Sequence, residues 1–303
     1  MTELKQILCP VDFSDFSRRA LDHALGVARC YGSTVTALHV VPPAGVVTPA
    51  PYYVGADTAP PVMLPPVDRR LVAQQVERLV SAEQVPGVRV DVLVEEAPDV
   101  YREILLHADR LSVDLIVMGT HGRSGFERLF LGSTAEKVLR KSRHAVMTVP
   151  PGAPNAMPRG PVPFTRILCP MDFSDSSKAA LDYAASLARE GHGSLAVVHV
   201  LEVLPLYADF APPAVVDLQA WTRDAETRLR QMVGDAVRAC CAVQELVVTG
   251  TPHLEILSLA TALDSDLIVM GVQGRNAADL FFFGSTTHHV IRGAQCAVMT
   301  LRG

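Results

Sequence analysis

The chain states itself twice. RILCPMDFSDSSKAALDYA, beginning at Arg166, restates QILCPVDFSDFSRRALDHA, beginning at Gln6. DLIVMG occurs at Asp114 and again at Asp266, and AVMT at Ala145 and Ala297. A sequence built this way must fold as two copies of one unit. The spacing between copies is 160 residues at the opening strand and 152 near each end, so the first half carries about eight additional residues between these anchors. The segment Pro42–Pro66, rich in proline and without regular periodicity, is the place for them and reads as a loop. A second proline-rich stretch, Pro150–Pro163, falls where the copies meet and reads as a linker. The expected division is residues 1–150, a linker at 151–163, and residues 164–303.

Within each copy, strand and helix patterns alternate. Ile7–Val11 is a short apolar run, followed by Ala20, Leu21, Ala24, Leu25 and Ala28 at helical spacing, with Gly32 as a stop. Thr34–Val41 and Val88–Val94 read as strands, and Asp68 to Glu83 reads as a helix between them. Pro98 and Pro252 are placed in the first turns of the helices that come next. Asp114–Met118 is a strand, Ser133–Ser142 a helix and Ala145–Val149 a closing strand. Continuous apolar strands alternating with helices predict an α/β fold, five parallel strands per half with helices on both faces; if strand one sits centrally, the order is 3-2-1-4-5.

Ligands of such sheets bind at the carboxyl ends of the strands, where strand order reverses. Asp12 closes strand one and Gly119 closes strand four, so they should face each other across that crevice. From Gly119 the chain runs GTHGRSGFERLFLGST, and from Gly271 in the second half it runs GVQGRNAADLFFFGST. Both segments hold two glycines three apart, then nine residues, then Gly-Ser-Thr. Gly119 and Gly122 permit a tight turn and close approach of backbone to a ligand. Gly132, Ser133 and Thr134 open a helix whose free N–H groups suit phosphate. His121 is placed to touch a phosphate or to face solvent, and Arg123 and Arg128 supply cations nearby. Asp12 offers an acceptor for ribose hydroxyls or an adenine amino group. The competing reading needs no ligand: Ser133 and Glu136 could form a capping box, and the glycines could be simple turns.

These motifs, with the CPVDFSDFS opening and the HAVMTVP ending, resemble the universal stress protein family across nearly the whole chain, as a tandem pair. The resemblance implies a Rossmann-like, ATP-binding unit, with Mg²⁺ accompanying the phosphates. It implies that Asp12 contacts adenosine, that Val40 and Val41 lie beside the adenine, and that Gly119, Gly122, Gly132 and Ser133 hold ribose and phosphates. Pro10, Val11 and Met118 flank these positions at the strand ends. The second half offers Pro170, Met171, Asp172, Val200, Met270, Gly271, Gly274, Arg275, Gly284, Ser285 and Thr286. There His121 becomes Gln273, Gly125 becomes Ala277 and Glu136 becomes His288, so binding is expected to be weaker or altered. The resemblance further implies that the halves pair through their closing strands and that the chain forms a homodimer.

Other chemistries find little support. The net charge of −5 and the absence of a basic run argue against general nucleic-acid binding. The opening MTELKQILCP has no leader pattern, and no apolar run nears the roughly 20 residues of a membrane span, so a soluble cytoplasmic protein is expected. No phosphate-loop lysine pattern and no Gly-x-Ser-x-Gly elbow occurs. His288-His289 sits badly for a metal because neighbours on a helix diverge. Cys9 and Cys169 read as small core residues, and Cys240-Cys241 as ordinary thiols. The expected function is a regulatory ATP-binding protein acting on its own assembly or on a protein partner. A slow ATPase using His121 or Arg123, and a chaperone-like dimer with empty sites, are the alternatives.

Overall fold

The computed structural model describes residues 4–47, 62–64, 66–83, 85–122, 131–154, 163–202, 217–239, 241–272 and 284–302. The first half runs β1 (Gln6–Pro10), α1 (Asp15–Tyr31), β2 (Thr34–Val41), β3 (Gly45–Val47), β4 (Val62–Leu64), α2 (Arg69–Ala82), β5 (Arg89–Glu96), α3 (Val100–Arg110), β6 (Leu115–Gly119), α4 (Ser133–Lys141) and β7 (Ala145–Val149). The second half runs β8 (Arg166–Pro170), α5 (Asp175–Glu190), β9 (Ser194–Leu201), α6 (Leu218–Arg238), β10 (Ala242–Thr249), α7 (Pro252–Ala262), β11 (Leu267–Gly271), α8 (Ser285–Gly293) and β12 (Ala297–Leu301).

Ten strands form one sheet in the order β10-β9-β8-β11-β12-β7-β6-β1-β2-β5. Each half contributes five parallel strands in the order anticipated from its sequence, an α/β fold with two tandem units. The halves join at a single antiparallel pairing, where Val298, Met299 and Thr300 of β12 lie opposite Thr148, Met147 and Val146 of β7. Two side-chain bonds brace this seam reciprocally. Thr148 Oγ1 donates to the Val298 carbonyl at 3.1 Å, and Thr300 Oγ1 donates to the Val146 carbonyl at 3.2 Å.

The strands carry apolar residues on both faces because both faces are covered. Ile7, Cys9, Leu115 and Val117 pack with residues of α1, α2, α5 and α6, while Leu8, Ile116 and Met118 pack with α3, α4, α7 and α8. The first of these cores runs unbroken across the seam through Met147 and Met299, both fully buried. Each large aliphatic side chain so buried contributes about 1.5–3 kcal/mol. Burial pushes the Cys169 and Cys296 thiols up to about 12, which leaves them as inert core groups. Cys240 lies outside the described residues.

Local signals set the boundaries. Ser14 caps α1 by accepting from Ser17 N–H, and Gly32 ends it in the left-handed conformation, φ 66°, donating to the Ala28 carbonyl. Asp68 caps α2 and Pro252 occupies the first turn of α7. Pro98 does not fill the matching place in α3: Asp99 is the cap there, so the proline precedes the helix. The proline-rich segment is not wholly a loop, since β3 and β4 form a short antiparallel hairpin. Helix α6 bends at Gly234, where φ 62° and ψ 162° interrupt the helical geometry.

Candidate functional site

The geometry begins at the end of β1. Asp12 Oδ1 accepts from Ser14 N–H at 3.0 Å and from Ser14 Oγ–H at 2.5 Å. Between them Phe13 is held at φ 65°, a strained conformation for a residue with a side chain. Its ring lies 4.7 Å from that of His39, whose Nδ1 is 2.6 Å from the Val11 carbonyl. The second half repeats each part. Asp172 binds Ser174 at 3.0 and 2.5 Å, Phe173 sits at φ 64°, and His199 packs on it while reaching the Met171 carbonyl at 2.7 Å. A carbonyl accepts only, so both histidines donate from Nδ1, and they serve to lock the strand end.

The glycines have separate reasons to be glycine. A Cβ on Gly119 would come within 2.9 Å of the Phe16 carbonyl oxygen in α1. One on Gly271 would meet Ser176 Oγ at 2.6 Å. These two let the first turns of α1 and α5 press against the ends of β6 and β11. Gly122 is different: its Cβ would stand 2.8 Å from Asp12 Oδ2. Asp12 therefore faces the Gly-x-x-Gly turn across the crevice, and the second carboxylate oxygen points at bare backbone.

Gly132 caps α4 and Gly284 caps α8, neither with a side-chain hydrogen bond. Their own N–H groups bind the Thr120 and Val272 carbonyls at 2.8 and 3.1 Å. This corrects the capping-box alternative. Because Gly132 is the cap, Ser133 is the first helical residue and Glu136 lies one position too far along to reach back. Glu136 instead pairs with Arg140 at 3.7 Å. The opening N–H groups of both helices thus have no side-chain acceptor from a cap, and Ser133 and Ser285 are exposed beside them.

The other candidates divide into wall and scaffold. Pro10, Val40, Val200 and Thr134 keep part of their surface, as do Gly284 and Thr286. Val11, Val41, Met118, Met171 and Met270 are buried at 3–5% exposure, Pro170 is buried too, and all of these belong to the fold. Arg123, Arg128, Gly274, Arg275, Gln273 and Ala277 lie outside the described residues. His121 is half-buried, with its Nδ1 2.9 Å from Thr120 Oγ1 and its ring 5.1 Å from that of Phe16. Burial, and then the charge of Arg292, hold its pKa below the ordinary histidine value.

Sequence reasoning missed two neighbours. His289 does not pair with His288, which meets it edge-on at 5.7 Å; it stacks on His253 at 4.5 Å. Arg228 of α6 lies over the Phe173 ring at 4.3 Å. Among the described residues no cluster of three potential metal ligands occurs, and no helix is long and apolar enough to cross a membrane.

Comparison with known proteins agrees with this duplicated architecture. The model of the universal stress protein family matches residues 3–150 and again residues 163–302. A universal stress protein of Methanocaldococcus jannaschii is 32% identical over 155 residues, covering 48% of this chain and 81% of its own. One from Thermus aquaticus is 33% identical over 141 residues, covering 46% of this chain and 99% of its own. The crystal structure of a universal stress protein from Archaeoglobus fulgidus aligns over 99% of this chain and 97% of its own, with a TM-score of 0.65 at 23% identity.

Proposed function

Since the chain belongs to the universal stress protein family, we propose that it is a regulatory protein that binds ATP and acts through its own assembly or a protein partner. The observation that carries this reading is the approach of Gly122 to Asp12. A Cβ at Gly122 would stand 2.8 Å from Asp12 Oδ2, so only bare backbone permits this approach. Beside Gly122 stands a fixed carboxylate, and the sequence leads on to a helix whose cap residue, Gly132, offers no side-chain acceptor. That donor and acceptor set fits an adenine nucleotide, with its hydroxyls toward Asp12 and its phosphates toward Ser133 and Thr134. Mg²⁺ would accompany the phosphates, supplying charge neutralisation. Asp172, Gly271, Gly284 and Ser285 repeat the arrangement, and a second site with weaker affinity is part of the proposal. The chain is read as a cytoplasmic homodimer.

Native mass spectrometry of freshly purified protein, with analysis of the released small molecules, tests the reading. One or two adenine nucleotides per chain are expected. Absence of nucleotide, together with a melting temperature indifferent to Mg-ATP, would reject it.

A further inference from the structure

A cavity of about 810 Å³ opens where the two halves and the start of the linker meet. The first half lines it with Gly122 and with Phe16 and Arg19 from the opening turns of α1. The linker contributes Gly152, and the second half Arg292 and Gln295. The wall is held in place: Arg19 Nη1 donates to the Pro151 carbonyl at 2.8 Å, and a side chain at Gly152 would overlap the Gln295 amide.

Two polar atoms here lack partners. Arg292 Nε is buried without a hydrogen bond, and Arg292 makes no ion pair among the described residues. His121 Nε2 is likewise buried and unpartnered, on a ring packed against Phe16. The reason for the free arginine is legible by comparison. Arg140 occupies the same place on α4 and has Glu136 four residues earlier as its partner. In α8 that position is His288, so Arg292 has no carboxylate on its own helix and turns to the seam. Arg292 is near enough to add to the burial that lowers the His121 pKa. The Arg292 Nε–H is a desolvated donor left unpaired, which is costly, and an anion is a group that would satisfy it.

We infer that this cavity is a polyphosphate subsite completed across the halves, in which Arg292 of the second half binds the terminal phosphates of a nucleotide seated at Asp12 and Gly122 of the first. The inference rests on the nucleotide reading above and adds a specificity: triphosphate over monophosphate. Gly122 is the shared element, packing against Asp12 and forming part of the cavity wall. Asp15 on the same wall opposes an anion, so Arg292 and Arg19 together must outweigh it.

Calorimetric titration of the full chain with ATP, AMP and inorganic tripolyphosphate provides the test. The first-half site is identified as the one that Gly122→Ala removes. Arg292→Ala should weaken ATP binding there about tenfold or more, the effect of losing a charge-assisted contact, and leave AMP unchanged. Arg292→Lys should recover part of the loss, and His288→Glu, which leaves Arg292 itself in place, should weaken ATP in the same direction. Arg140→Ala should do nothing to this site. ATP affinity unchanged in Arg292→Ala would overturn the inference while sparing the nucleotide reading. Arg292-dependent tripolyphosphate binding without any nucleotide binding would sink that reading and uphold the arginine as a phosphate ligand. Failure of the wild-type chain to bind any of the three would end both.

Discussion

The two halves share a backbone and differ in where they place charge. Their strand ends are nearly superposable in chemistry: an Asp binding the Ser two residues on, a phenylalanine at positive φ, and a histidine locking the preceding carbonyl. Yet the last helix of each half disposes of its arginine differently. Arg140 pairs with Glu136 while its carbonyl accepts from Arg302 of the other half, whereas Arg292 has no acid on its own helix and lines the cavity beside the other half's glycine turn. Duplication has preserved the parts that set backbone geometry, while the difference between Glu136 and His288 leaves the second of these arginines without an acid on its own helix.

The widest perturbation of this comparison abolishes the seam common to both halves. Met299→Asp buries a carboxylate at a fully buried position opposite Met147, at a cost of several kcal/mol. A drop in melting temperature of about 10 °C or more is expected, and an unchanged melt would mean the halves do not depend on their junction. Next come the strand-end glycines. Gly119→Ala and Gly271→Ala should each destabilise by about 1–3 kcal/mol, because each Cβ meets the first turn of a packed helix. Each should also cost nucleotide in its own half alone, read as bound nucleotide per chain by mass spectrometry; loss from both halves would show that the sites are not separate.

A smaller effect separates the arginines. Arg140→Ala removes an exposed pair and should change stability by about 1 kcal/mol or less in denaturant titration. A larger loss would show that Arg140 is as deeply committed to the structure as Met299. The smallest effect is shared by both halves. His23 and His121 in the first, and His253 and His288 in the second, are all held below the ordinary histidine pKa, in each case first by burial. The unfolded chain therefore takes up protons before the folded one does. Stability should be flat above the unfolded value of about 6.5 and decline as pH falls below it. Melting temperatures at neutral and mildly acid pH measure the slope, and no decline would contradict those shifts.

Much of the fold was legible because the repeat and the apolar runs report the same thing twice. A parallel sheet covered on both faces follows from apolar runs joined by helices, whereas the order 3-2-1-4-5 also required strand one to be placed at the centre. The hairpin of β3 and β4 was hidden, since three-residue strands inside a proline-rich segment carry no periodicity to read. The capping-box alternative had the right spacing in Ser133 and Glu136, but the cap position belongs to Gly132. Asp12 facing the glycine turn was foreseeable from strand order alone. Arg292 was not, because its importance depends on a contact between copies. Its one trace in the sequence is the missing acid four residues before it.

The antiparallel junction of β7 and β12 has a consequence for dilution. In a chain that carries both units, each closing strand finds its mate tethered, at an effective concentration that no change in protein level can alter. The pairing that unlinked units would have to win by mass action is here intrinsic to one molecule. Both inner edges are consumed by it, and the outermost strands of the sheet are β5 and β10. Any further copy that joined by strand addition would have to do so at these far ends, lengthening the sheet and leaving the central seam as it is.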